Sequence, residues 1–185
     1  KLSPEAETLM RQKITDSINL LKQNNDLADE WIKLGINKKI AGDLEGAREA
    51  WEYVSFIRPQ NSVSFNNLGD LYHYYLKDYL KAEYNLKKVI ENDPSYIVGY
   101  KNLFDLYNLS YQQNTAKAAE ALKLGLAKNP EAIDLMTALA GYYAKAGNRE
   151  EAEKYYQPAL AEAQKLGNQQ LIDMINKELE ALKSP

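Results

Sequence analysis

Cysteine is absent and histidine occurs once, as His73, in this chain of 185 residues. Without thiols there are no disulfides, no thiolate zinc sites and no Cys nucleophile, and the redox compartment stays open. A single imidazole also removes every metal centre that needs two. Charge of one sign is lacking as well, since 23 Lys and Arg stand against 26 Asp and Glu for a net charge of -3. Nucleic-acid binding by phosphate neutralisation needs a basic face, which so dispersed and slightly acidic a set does not supply. No uninterrupted apolar run reaches the ~18 residues of a membrane span, so direct insertion into a membrane is not expected. The 45% of apolar residues is enough for a core.

What the chain does have is internal repetition. Trp31, Leu34 and Gly35 recur as Phe65, Leu68 and Gly69, then as Tyr100, Leu103 and Phe104, then as Met136, Leu139 and Ala140, with anchors spaced by 34, 35 and 36. A second series, Ala47, Ala82, Ala118 and Ala152, is spaced by 35, 36 and 34, and Pro59, Pro94 and Pro130 each follow their alanine by 12. Three registers therefore agree on one period. The distance from anchor to alanine is 16, 17, 18 and 16, so the length variation falls in the middle of each unit, where breakers cluster at 38–46 and 108–115. Helical periodicity flanks that point, as in Trp31, Leu34 and Ile40 and then Ala47, Ala50, Trp51 and Val54. Each unit reads as helix, turn, helix, with turns predicted near 41–46, 76–79, 110–115 and 145–149. Proline closes the unit because it cannot continue the helix before it.

These units resemble tetratricopeptide repeats, helix-turn-helix modules of about 34 residues with a W-x2-L-G-x2-Y, A-x3-F, P pattern. Residues 28–61 match through Trp31, Leu34, Gly35, Ala47, Trp51 and Pro59, with Lys38 at the tyrosine position. Residues 62–96 match through Phe65, Leu68, Gly69, Tyr72, Ala82 and Pro94. Residues 97–132 keep Tyr100, Leu103, Tyr107, Ala118 and Pro130 but place Phe104 at the glycine position, so the helices splay around the ring or the register shifts. Residues 133–167 keep Leu139, Tyr143, Ala152 and Tyr156, with Ala140 for glycine. The resemblance implies an all-α, right-handed superhelical solenoid of antiparallel helix pairs, about ten helices in a single domain.

Two of those helices are expected to be caps, because a terminal repeat exposes an apolar face. Residues 1–27 supply Ser3 and Pro4 as helix start and the stripe Ala6, Met10, Ile14, Ile18 and Leu21. Residues 168–185 supply Asn168 as cap and the stripe Leu171, Ile175, Leu179 and Leu182, after Gly167 closes the fourth unit. Pro158 falls inside the last repeat helix and is expected to kink it. A first residue other than methionine, with no targeting motif after it, leads to the expectation of a processed or truncated piece. What is missing could be a tag junction, a signal sequence or a membrane anchor, and the compartment stays open between cytoplasm and the soluble part of an exported or anchored protein.

The resemblance implies a concave side lined by the first helices, where peptides or partner helices dock. Its groove positions fall on Ile32, Ile36, Lys39 and Ile40, then Asn66, Asp70, His73 and Tyr74, then Lys101, Asp105, Asn108 and Leu109, then Thr137, Gly141, Ala144 and Lys145. The polar ones read either as a solvated helix face or as groups that hold a peptide backbone. Ile32, Ile36 and Ile40 cannot all be core, and read either as contacts with the N-terminal helix or as a partner surface. Of the fourteen tyrosines, Tyr72, Tyr100, Tyr107, Tyr143 and Tyr156 take core positions, and among the other nine Tyr74, Tyr75, Tyr79 and Tyr111 read as candidates for contacts near the second and third units. His73 near Asp70 and Asp105 lacks the nucleophile or cofactor pocket that catalysis needs, so no cofactor, no metal and no enzyme activity are expected. Repeats that grip chaperone C-terminal tails use a set of Lys, Asn and Arg positions. Here those positions hold Ile32, Ile36, Asn67, Val98 and Asn102, a single match, so that partner is not expected. The function expected is a protein-interaction scaffold that binds a peptide or helical segment, the alternative being an assembly module of a larger or membrane-anchored protein.

Overall fold

The computed structural model describes residues 3–111 and 115–183. Among them every regular element is helical and no strand occurs, as the all-α reading expects. The chain divides into two compact units, Lys1–Asp93 and Pro94–Pro185.

The first unit holds α1 (Pro4–Gln23), α2 (Ala28–Ala41), α3 (Leu44–Ile57), α4 (Ser62–Asp70) and α5 (Tyr79–Asn92). Ser3 accepts from Ala6 N at 3.3 Å to start α1, and α1 packs on α2 through Leu21 and Ser17. Ser17, outside the apolar stripe read from the sequence, is buried because its hydroxyl donates to Glu30 at 2.6 Å. Asp43 and Asp78 cap α3 and α5 by accepting from Gly46 N at 2.8 Å and Lys81 N at 3.1 Å. The turn expected at 41–46 is thus shorter, since 44–46 already belong to α3.

The two pairs close on small residues. A Cβ at Gly35 would lie 2.3 Å from Trp51 Nε1, and one at Gly69 would lie 2.6 Å from Leu86 Cδ2, while Ala47 and Ala82 are fully buried. Trp51 is fully buried, whereas Trp31 is only half-buried, with its ring 4.7 Å from Tyr53 and its Nε1 donating to the Asn25 carbonyl at 2.9 Å. The extra residue of the second pair is absorbed inside the helix. Leu71–Leu76 continue α4 as a π-helical turn, closed by Lys77 at φ 57°, where α2 closes plainly at Gly42 with φ 88°.

The second unit holds α6 (Ile97–Asp105) with a π-helical continuation Leu106–Ser110, then α7 (Thr115–Lys128), α8 (Ile133–Lys145), α9 (Arg149–Lys165) and α10 (Gln169–Lys183). The predicted turn at 110–115 lies partly outside the described residues, and its first residue, Ser110, is still helical. Phe104 does not separate α6 from α7. Its ring turns edge-on to Tyr142 of α8 at 5.9 Å, and Gly125 provides the close approach instead, since a Cβ there would lie 2.8 Å from Tyr100 Cγ. Helix α9 runs unbroken through Pro158. Gly147 and Gly167 close α8 and α9 at φ 75° and 63°, and Asn148 and Asn168 start α9 and α10. Ala140, Ala152, Tyr156, Ile175 and Leu179 form a core shared by α8, α9 and α10.

Candidate functional site

In the first unit the groove positions separate by burial. Ile32 is buried and His73 is 1% exposed, so neither offers itself to solvent. His73 lies in the π turn, 3.9 Å from the Tyr74 ring and 6.2 Å from the Tyr79 ring. Burial, and after it the charge of Lys77, pushes its imidazole below the ordinary value, which favours the neutral form. The expectation of an imidazole on an open groove is thus corrected: the π turn rotates His73 into the packing. Ile36 and Ile40 remain 38% and 47% exposed. Both also border α1, as one of the two readings requires. Ile40 lines a hollow of about 760 Å³ with Met10 and Ile14, and Ile36 a shallower one with Lys13 and Ser17.

The same face carries charge. Lys39 places its ammonium 5.8 Å from the Trp51 ring centroid and 5.5 Å from that of Tyr75. Asp70 is half-buried, and burial raises its carboxyl while the charge of Lys39 pulls the other way with the smaller effect. Asn66 is half-buried and Tyr74 exposed. Helices α2 and α4 thereby bring together Lys39, Asp70 and Tyr75. Trp51 beneath Lys39 and the buried, unpaired Nδ2 of Asn67 were not legible as site features. Both depend on how α3 and α4 pack rather than on spacing.

In the second unit Lys101, Asp105 and Asn108 are half-buried and Leu109 is exposed on the π turn. Lys101 pairs with Asp134 of α8 at 3.5 Å, a partner 33 residues on that the repeat spacing could have suggested. Thr137 bonds its own helix at the Ile133 carbonyl, 2.9 Å away, and Gly141 and Ala144 are half-buried while Lys145 is exposed. Of the tyrosines assigned to the core, Tyr72, Tyr100, Tyr107 and Tyr156 are buried. Tyr143 is only half-buried, stacked on Tyr155 at 5.9 Å. Tyr72 also donates to Glu52 at 2.8 Å, and burial followed by that bond pushes its phenol up to about 12.

Among the described residues no helix is long and apolar enough to cross a membrane, and no three His, Asp or Glu side chains form a cluster able to hold a metal ion.

No protein-family profile and no curated protein sequence matches the chain. Solved structures do. MamA is 23% identical with a TM-score of 0.66, over 83% of this chain and 88% of that one. TTC0263, a thermophilic TPR protein of Thermus thermophilus, is 22% identical with a TM-score of 0.63, over 90% and 88%. PilW, a type IV pilus biogenesis factor, is 20% identical with a TM-score of 0.61, over 93% and 85%. With four helix pairs closed on Gly or Ala positions and neighbours of this kind, the fold is that of a tetratricopeptide-type helical repeat protein.

Proposed function

We propose that this protein is a non-enzymatic scaffold that holds a peptide or helical segment of a protein partner on the face formed by α2, α4 and its π turn. The observation that carries the reading is the exposure of Ile36, Ile40 and Tyr75, at 38%, 47% and 51%, beside Lys39 and Asp70. Apolar side chains flanked by half-buried polar groups are the composition of a recognition surface rather than of a solvated helix face. Asn66 belongs to the same face, and within the second unit Lys101, Asp105 and Asn108 hold the corresponding repeat positions.

Selection of a random phage-displayed peptide library on the full chain tests this. Enriched peptides should lose binding to an Ile36→Ser, Ile40→Ser variant whose helicity and melting are near those of the parent. Undiminished binding would remove this face from the function, and a large fall in melting would assign the stripe to the contact with α1.

A second reading, an assembly role, draws on a surface of α3 and α5. Phe56 on α3 is 82% exposed and lines a hollow of about 620 Å³ with Pro59 and Tyr84. Phe56→Ser should leave peptide selection intact. A change of mass in light scattering on that substitution would favour assembly.

A further inference from the structure

Asp70 stands on α4 where Ile36 stands on α2, five residues past Phe65 and Trp31 respectively. Burial acts on its carboxylate more strongly than any neighbouring charge, and among the described residues no hydrogen-bond donor or ion-pair partner reaches it. A half-buried carboxylate that has lost part of its water and has no protein donor gains from a ligand that supplies one. Lys39 does not fill that place, since its ammonium is held over the rings of Trp51 and Tyr75. One turn before Asp70, the buried Nδ2 of Asn67 also lacks an acceptor. One turn beyond it, Tyr74 and Tyr75 expose aromatic faces.

We propose that the partner segment presents a basic side chain to Asp70, between apolar residues that rest on Ile36 and Ile40. This rests on the binding reading above and adds the chemistry of what is bound. A peptide N–H could reach the carboxylate but brings no charge. A guanidinium brings two parallel donors together with a positive charge that adds to the smaller pull of Lys39, and its plane stacks on tyrosine. An ammonium supplies charge and donors without the fork.

The library selection on the full chain, followed by calorimetry, decides it. The enriched peptides should share an arginine or lysine between apolar residues. Asp70→Asn should weaken binding about ten- to a hundredfold, the range expected for one charge-assisted hydrogen bond. Changing the basic residue of the peptide to Gln should weaken it by a similar factor, and the two changes together should cost little more than either alone. If Asp70→Asn fails to fold, the peptide substitution on the unaltered protein carries the test by itself. Enriched peptides without a basic residue, or equal affinity of Asp70→Asn for the parent peptide, would overturn this inference and leave the scaffold reading standing. Failure to enrich any peptide would overturn both.

Discussion

The first two helix pairs differ by one residue, and the difference shows where a repeat protein puts an insertion. Both pairs have an aspartate cap, at Asp43 and Asp78, a fully buried alanine, at Ala47 and Ala82, and a glycine against a large side chain, at Gly35 and Gly69. In the first, α2 ends at Gly42 and every helical turn is ordinary. In the second, the added residue is wound into the helix as the π turn Leu71–Leu76 and the closing position is Lys77. Lengthening the loop would have left the helix intact. Widening the helix instead keeps the cap and the alanine in register while re-aiming His73, Tyr74 and Tyr75, so the insertion alters the candidate face and spares the core.

The sharpest way to break the comparison is through the large residues under the glycines. Trp51→Ala should cost roughly 3 to 5 kcal/mol, and Leu86→Ala about 2 to 5 kcal/mol, by denaturant unfolding. Trp31→Ala should cost clearly less than Trp51→Ala because its ring is half-buried. Equal losses at Trp31 and Trp51 would show that the burial assigned to the first pair is wrong.

Next come the glycines themselves. Gly35→Ala forces a Cβ onto a rigid indole and should cost about 1 to 3 kcal/mol, whereas Gly69→Ala meets the movable end of Leu86 and should cost less. The reverse order would mean that α4 and α5 are the tighter pair.

Smaller effects belong to the closing residues. Gly42→Lys should destabilise by about 1 kcal/mol, because a side chain disfavours the left-handed backbone, and Lys77→Gly should stabilise by up to about 1 kcal/mol. If Lys77→Gly proves destabilising, Lys77 has a role beyond closing the turn.

The smallest is a pH effect that the first pair lacks, since Lys39 occupies the place of His73 eight residues past the anchor. The folded state holds His73 neutral to lower pH than the unfolded state does. As pH falls below about 6.5 the unfolded chain therefore binds more protons, and stability declines through that window to the depressed folded value. Asp70 acts with the opposite sign at lower pH. Its raised carboxyl takes up a proton in the folded state first, so protonation there favours folding. A His73→Gln variant should lose the decline near neutral pH in its unfolding midpoints. A decline that persists would place its origin elsewhere.

The site was less legible than the fold. Among the groove positions, Ile36, Ile40 and Tyr74 are exposed, while Ile32 and His73 are buried. The groove positions were counted on a regular helix, and the π turn displaces the residues after Asp70. The link between Lys39 and Asp70 joins residues 31 apart on two helices, and nothing in their spacing separates that pair from other charges on the same faces.

Period, helix pairing, caps and small-residue contacts were determined by the amino-acid order alone. An Asx cap reaches only three residues, a left-handed glycine acts on its own turn, and four buried alanines spaced by 35, 36 and 34 mark the same place in each pair. The tertiary structure decided which tryptophan is buried, how the added residue is accommodated, and which polar groups are left without partners. Each of those depends on the free energy of one helix against its neighbours. A π turn and a longer loop satisfy the same local residues, and the π turn that forms buries Leu71 and Tyr72 in the core.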